Sequence, residues 1–170
     1  MQAKAKAKGI PNFSIFGEVF IHDNEPGLTA LYTHRDGFPQ LLDFAFAAAT
    51  QLMLGKDNGT DQLTKWSNGD WLYKGGLMAA LDLPTFVDNH DEDRIASKLL
   101  NPAHLAPLYT LLFTLPGIPS IYYGSEWVIQ GRRGHNSDTE LRPRILPPRP
   151  LAEEMQTSDG QNTGIRTDGN

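Results

Sequence analysis

No cysteine occurs among the 170 residues, which excludes a disulfide framework, a thiol nucleophile and any cysteine-based metal site. Clustered cations are missing as well: Lys+Arg 15 stand against Asp+Glu 20, for a net charge of −5. No basic stripe alternates with aromatics, so a nucleic acid is not the expected partner, because phosphate neutralisation needs grouped cations. Long apolar runs are absent too. The best candidates are broken by Asp43 and Gln51, or by Pro116 and Pro119, and neither reaches the roughly 20 residues that span a bilayer. No membrane partner is expected. Lys4, Lys6 and Lys8 have the charge of a signal n-region, but Gly9, Pro11 and Asn12 stand where its apolar run should follow. With no signal peptide read in this stretch, the default expectation is a cytoplasmic protein. What remains, 39% apolar and 21% charged residues, describes a globular chain long enough for one ordinary domain.

The chain is organised around Phe86-Val87-Asp88-Asn89-His90-Asp91. Two apolar residues run into a cluster of ionisable and amide side chains, and a helix-like segment follows from Arg94. This order puts the polar tip at the C-terminal end of a short buried strand, the edge where parallel α/β proteins bind ligands and do chemistry. Such a tip has little use in a core, because buried charges need partners.

Three more strand ends can be read in the same way. Phe13 to Phe16 is a short apolar run closed by Gly17-Glu18, so Glu18 sits at a strand end between large apolar residues. That carboxylate is either a solvated loop residue or an acid whose apolar neighbours raise its pKa and suit it to donate a proton. Leu41 to Phe46 reads as a second strand, with Asp43 inside the apolar run and in need of a partner. An Ala-rich helix follows from Ala47 to about Gly55. Phe86 to Asp91 is the third strand. Ser120 to Tyr123 is the fourth, ending at Gly124-Ser125-Glu126. Between the second and third strands, residues 56–76 are rich in Gly, Asn and Asp and read as an irregular loop. Its Trp66, Trp71 and Tyr73 cover a core edge, or an exposed Trp there stacks on a sugar ring. Ala3 to Lys8 should be helical, as should 75–83 and, interrupted by Pro102, the segment from Asp93. Leu105 to Leu115 is so apolar that the sequence predicts a buried helix. Strand and helix alternate, which predicts a parallel sheet with crossover helices. Residues 147–170, proline-rich and then nearly devoid of large apolar side chains, read as a low-order tail.

Taken together, Gly-Glu-Val-Phe at 17–20, Phe-Val-Asp-Asn-His-Asp at 86–91 and Gly-Ile-Pro-Ser-Ile-Tyr-Tyr-Gly-Ser-Glu at 117–126 resemble the α-amylase family of glycoside hydrolases. They are similar to the fifth, seventh and eighth strands of its (β/α)8 barrel. The fold class implied is α/β: a partial TIM barrel over residues 1–146, about the fifth to eighth strands with their helices. The resemblance implies a retaining double displacement at α-glucosidic bonds of starch-like glucans or maltooligosaccharides. It makes Glu18 the general acid/base, Asp91 the transition-state stabiliser and His90 a contact to substrate hydroxyls. Asn89, Tyr123 and Trp66 become candidate sugar contacts, and Arg94 could orient Asp91 or a subsite residue.

The departures from the family pattern are as specific. The fourth-strand motif, an Asp nucleophile with an Arg two residues before it, would have to stand before Phe13, and nothing there could contain it. Absent too is the third-strand motif ending in Asn-His that is tied to calcium in many members, so no cofactor is expected for these residues. Asp88 and His90, two apart, share a strand face while Asp91 points away, and two ligands are too few for a closed zinc site. The chain therefore reads as a fragment, inactive alone and prone to self-association through exposed half-barrel edges. The competing reading is a non-catalytic carbohydrate-binding or interaction module on a degenerate half-barrel.

Overall fold

The structure is a computed structural model that describes residues 1–21, 23–134 and 137–145. The expected tail lies outside them.

Four short parallel segments lie side by side in chain order. Gly17 bridges Leu41, Asp43 bridges Thr85, and β1 (Pro84–Thr85) pairs in parallel with β2 (Ile118–Pro119). The expected consecutive parallel order is present, but the ladders are much shorter than the apolar runs that suggested them. Prolines give one reason: Pro84 and Pro119 stand inside the two strands and have no N–H to donate. The paired residues also precede the runs expected for them: β1 ends before 86–91 and β2 before 120–123. Phe86 and Val87 are buried but lie beyond the paired residues. Gly117 permits the close approach of β2, since at φ +122° an added Cβ would come within 2.3 Å of Thr85 Cγ2.

The helices differ from expectation in instructive ways. α1 (Gln2–Ala7) forms as expected and buries nothing. α2 (Gly27–Arg35) was not anticipated, because its buried side consists only of Thr29, Ala30 and Thr33, a stripe with little apolar signal. α3 (Phe44–Thr50), continued by a wider turn over Gln51–Gly55, starts three residues before the expected Ala47. Asp43 explains the early start. Its Oδ1 accepts the Phe46 N–H at 2.9 Å, so the carboxylate caps the helix it seemed to interrupt. The expected loop at 56–76 instead contains α4 (Asp61–Ser67) and a single turn at Asp70–Leu72, while α5 (Leu77–Ala80) forms within the helix expected at 75–83. α6 (Ile95–Lys98) and α7 (Leu105–Thr114) follow the third strand.

The main core joins Ala45, Phe46 and Ala49 of α3 to Trp66 of α4, Val87, Ile95 of α6, and Leu108 and Leu112 of α7. α7 corrects the expectation of a fully buried helix. Only Leu108 and Leu112 are buried, and Phe113 is 57% exposed, because the described residues pack against one of its faces. Leu112→Ala should therefore cost about 2–5 kcal/mol, as large-to-small core changes do. Phe113→Ala should cost about 0.5 kcal/mol or less, as surface changes do. Urea unfolding midpoints of the two variants would check this.

Candidate active site

Glu18, Asp88, His90 and Asp91 each follow the C-terminal end of one of the parallel segments, while Asp43 is itself a bridging residue. Gly17 fixes the first. An added Cβ there would come within 2.7 Å of the Phe38 ring, so the backbone passes close under Phe38 and Leu41 before delivering Glu18. Glu18 itself is exposed. The apolar enclosure expected around it is not formed by the described residues of this chain.

The tip of the third strand is built by its own side chains. Asn89 Oδ1 accepts the Asp91 N–H at 2.9 Å, a local turn that presents His90 and Asp91 side by side. The Asn89 Nδ2 amide is buried and has no hydrogen-bond partner among the described residues. His90 Nε2 lies 3.1 Å from Asp91 Oδ2. The other carboxylate oxygen, Oδ1, takes the Arg142 guanidinium at 2.5 Å, and Arg142 also donates to the His90 carbonyl at 2.9 Å. Both Asp91 oxygens are thus oriented from within the chain.

Arg142 is the contact that sequence reading missed, and Arg94 is the one it misplaced. Arg94 does not reach Asp91. It is fully buried and donates to Asp88 Oδ2 at 3.2 Å, to the Tyr123 carbonyl at 2.7 Å and to Ser125 Oγ at 3.2 Å. Its guanidinium lies 4.4 Å from the Tyr122 ring centroid, a cation–π contact. Asp88 also accepts the Ile95 N–H at 2.8 Å. Burial pushes the Asp88 carboxyl up, against the Ile95 N–H and the Arg94 charge, which pull it down. Arg94 therefore ties the third strand tip to the segment after β2, and Asp88 is its counter-ion. A signal for Arg142 was present: the acidic run Asp88 to Asp93 faces Arg132, Arg133 and Arg142. The structure pairs Asp93 with Arg132 and Asp91 with Arg142.

Two sugar-contact expectations change. Trp66 is 3% exposed, packed at a 5.2 Å ring separation on Phe46, and its Nε1–H donates to Asp43 Oδ2 at 2.9 Å. A ring so enclosed cannot stack on a sugar. The indole needed a partner for its N–H and a home for its apolar area, and α3 supplied both. Tyr123 remains partly exposed, with its hydroxyl donating to the Pro143 carbonyl at 2.9 Å. Asp43, capping α3 and holding Trp66, is structural.

Among the described residues no group of three His, Asp or Glu side chains could hold a metal ion. Nor is any described helix long and apolar enough to cross a membrane.

Replacing Arg142 tests how much the Asp91 pair contributes to folding. The pair is partly solvated, with side chains 46% and 29% exposed, so Arg142→Gln should change stability by about 1 kcal/mol or less. Thermal unfolding would show it.

Consecutive parallel strand–helix units with ionisable side chains at their C-terminal ends define the class: an α/β protein of the barrel type, with its site at the strand ends. The sequence matches the family described as alpha amylase, catalytic domain, over residues 1–164. The chain belongs to the α-amylase family. It is 30% identical to an alpha-amylase of Niallia circulans over 130 residues, covering 74% of this chain and 24% of that protein. It is 31% identical to a cyclomaltodextrin glucanotransferase of Geobacillus stearothermophilus over 125 residues, covering 72% of this chain and 17% of that protein. Among solved structures it resembles the Geobacillus thermoleovorans alpha-amylase complexed with acarbose, with a TM-score of 0.60 and 26% identity, over 82% of this chain and 34% of that one. The maltogenic amylase from S. marinus gives a TM-score of 0.62 at 28% identity, over 85% of this chain and 19% of that one. The chain thus spans less than a quarter of either curated relative. These matches carry the (β/α)8 architecture, of which the described residues form an open, four-segment part.

Proposed function

We propose that this chain is part of a retaining glycoside hydrolase acting on α-glucosidic bonds of starch-like glucans or maltooligosaccharides. The observation that best supports the reading is the Asn89-His90-Asp91 tip, where Asp91 is oriented by His90 and Arg142 beyond the end of β1, on the same edge as Glu18.

In the first step Glu18 donates its proton to the glycosidic oxygen as the bond to the anomeric carbon breaks. In the second step it takes a proton from the water that releases the sugar. Asp91 and His90 hold hydroxyls of the reacting sugar ring, and Asp91 places negative charge near the oxocarbenium-like centre. The Asn89 amide, buried and without a partner among the described residues, would donate to the same ligand only once it is uncovered. The nucleophilic carboxylate, which forms and then loses the ester to the sugar, belongs to a fourth-strand motif that is not found ahead of the strand end at Glu18. In retaining sites the two carboxyl groups stand about 5 Å apart, so that partner must come within this distance of Glu18.

Alone, the chain should not hydrolyse glucans, and its open edges at Gly17 and at Ile118–Pro119 should favour self-association. Mixing it with a separately produced first half of an α-amylase barrel, carrying the Arg-x-Asp motif, tests the assignment. Hydrolysis of maltoheptaose by the complex, and by neither half, supports it. A folded complex without turnover would sink it. Calorimetric maltoheptaose binding that never leads to turnover and is unchanged by Glu18→Gln would instead favour a binding module.

A further inference from the structure

The dipeptide Asn-Gly occurs twice, at Asn58-Gly59 and at Asn68-Gly69. The same chemistry is open to both pairs in an unfolded chain. The glycine backbone nitrogen can attack the asparagine side-chain carbonyl carbon, because no Cβ shields it and the backbone there turns freely. The new C–N bond closes a cyclic imide as ammonia leaves. Water then opens the imide at one carbonyl or the other, giving aspartate or isoaspartate.

The fold treats the two pairs differently. Asn58 is exposed, in the loop between the wider turn over Gln51–Gly55 and α4. Its attacking nitrogen is free, since the Gly59 N–H has no hydrogen-bond partner among the described residues. Asn68 stands at the end of α4, where its own N–H donates to the Thr64 carbonyl at 3.0 Å. There the attacking nitrogen is held, because the Gly69 N–H donates to the Trp66 carbonyl at 3.1 Å. Gly69 is also buried, and an added Cβ would come within 2.0 Å of Pro26 Cγ. Closing an imide at Asn68 would require it to leave its helical φ of −66° and ψ of −13°. That rotation breaks the helix-end bonds and lifts Gly69 off Pro26.

We propose that Asn58 is a site of spontaneous modification, converting through a cyclic imide to aspartate and isoaspartate, while the fold protects Asn68. Either product places a carboxylate at 58, in a run that already holds Asp57 and Asp61. Isoaspartate also adds a methylene to the backbone. The extra carbon falls between two anchors: the Asn58 N–H, which donates to the Leu52 carbonyl at 3.1 Å, and Thr60, from which α4 starts. It therefore alters the joint between α3 and α4, the helices that bring Phe46 and Trp66 together in the main core.

Tryptic mapping of the full chain separates the two sites, because Asn58 falls in the peptide Asp57–Lys65 and Asn68 in Trp66–Lys74. The chain is aged in mildly alkaline buffer, with and without urea, and each peptide is weighed for the change of amide to acid. Chromatography resolves its aspartate and isoaspartate forms. Without urea, Asn58 should convert about tenfold faster than Asn68 or more, the factor expected when one nitrogen must first give up a hydrogen bond and a packed position. In urea the two peptides should convert at similar rates. Similar rates without urea, or faster conversion at Asn68, would overturn the proposal. So would an equal preference for Asn58 in urea, since the fold would then not be what distinguishes the sites.

Discussion

Arg94→Met should remove about 3–5 kcal/mol of folding stability, a large share of the roughly 5–15 kcal/mol that holds an ordinary domain folded. The side chain is fully buried and donates to Asp88, Tyr123, Ser125 and, at 3.4 Å, the Leu141 carbonyl. Methionine nearly keeps the volume but strands the Asp88 carboxylate, itself buried, with one oxygen already lacking a partner among the described residues. The cost is that of an uncompensated buried charge rather than of a lost attraction. The double variant Arg94→Met with Asp88→Leu should therefore recover part of the loss. Urea unfolding followed by circular dichroism would show whether it does. A single variant within about 1 kcal/mol of the wild type would mean that Arg94 is not the tie described. Leu141 and Arg142 are neighbours in sequence, so the same loss should also disturb the Arg142–Asp91 pair at the strand tip.

Glu18→Gln should lower turnover by about 10²–10⁴-fold in the reconstituted two-half enzyme proposed above, the range supplied by a positioned acid/base. Glutamine keeps the shape and the hydrogen-bonding capacity but cannot give up a proton to the glycosidic oxygen. Substrates with a leaving group that needs no protonation, such as aryl maltosides with an acidic phenol, should be much less affected in the bond-breaking step. Comparing maltoheptaose with such an aryl substrate separates loss of the acid from loss of folding. Equal losses on both would argue against Glu18 as the acid. Because Glu18 is exposed in this chain, the substitution should hardly alter the stability of the chain alone.

Much of this protein was legible before its structure. The alternation of apolar runs with polar tips carried the parallel order, and the motifs at Gly17-Glu18, Phe86 to Asp91 and Gly117 to Glu126 carried the family. These signals are local: a strand tip is written in a few consecutive residues. Lengths and partners were not local. The ladders shrank to one or two residues a side, and α2 went unseen because small residues line its buried side.

What the sequence by itself determined is the family, and which ionisable side chains follow its short apolar runs. What only the tertiary structure decided is which charge answers which. Asp88, Asp91 and Asp93 lie within six residues of one another, yet the fold gives them to Arg94, Arg142 and Arg132 respectively. Likewise Asp43 became a helix cap and Trp66 its buried partner, where spacing left a loop aromatic free to meet a sugar. The physical reason is common to all of these. A buried charge or indole N–H must find a complementary group within hydrogen-bonding reach, and which group lies within reach is fixed by packing between elements far apart in the chain.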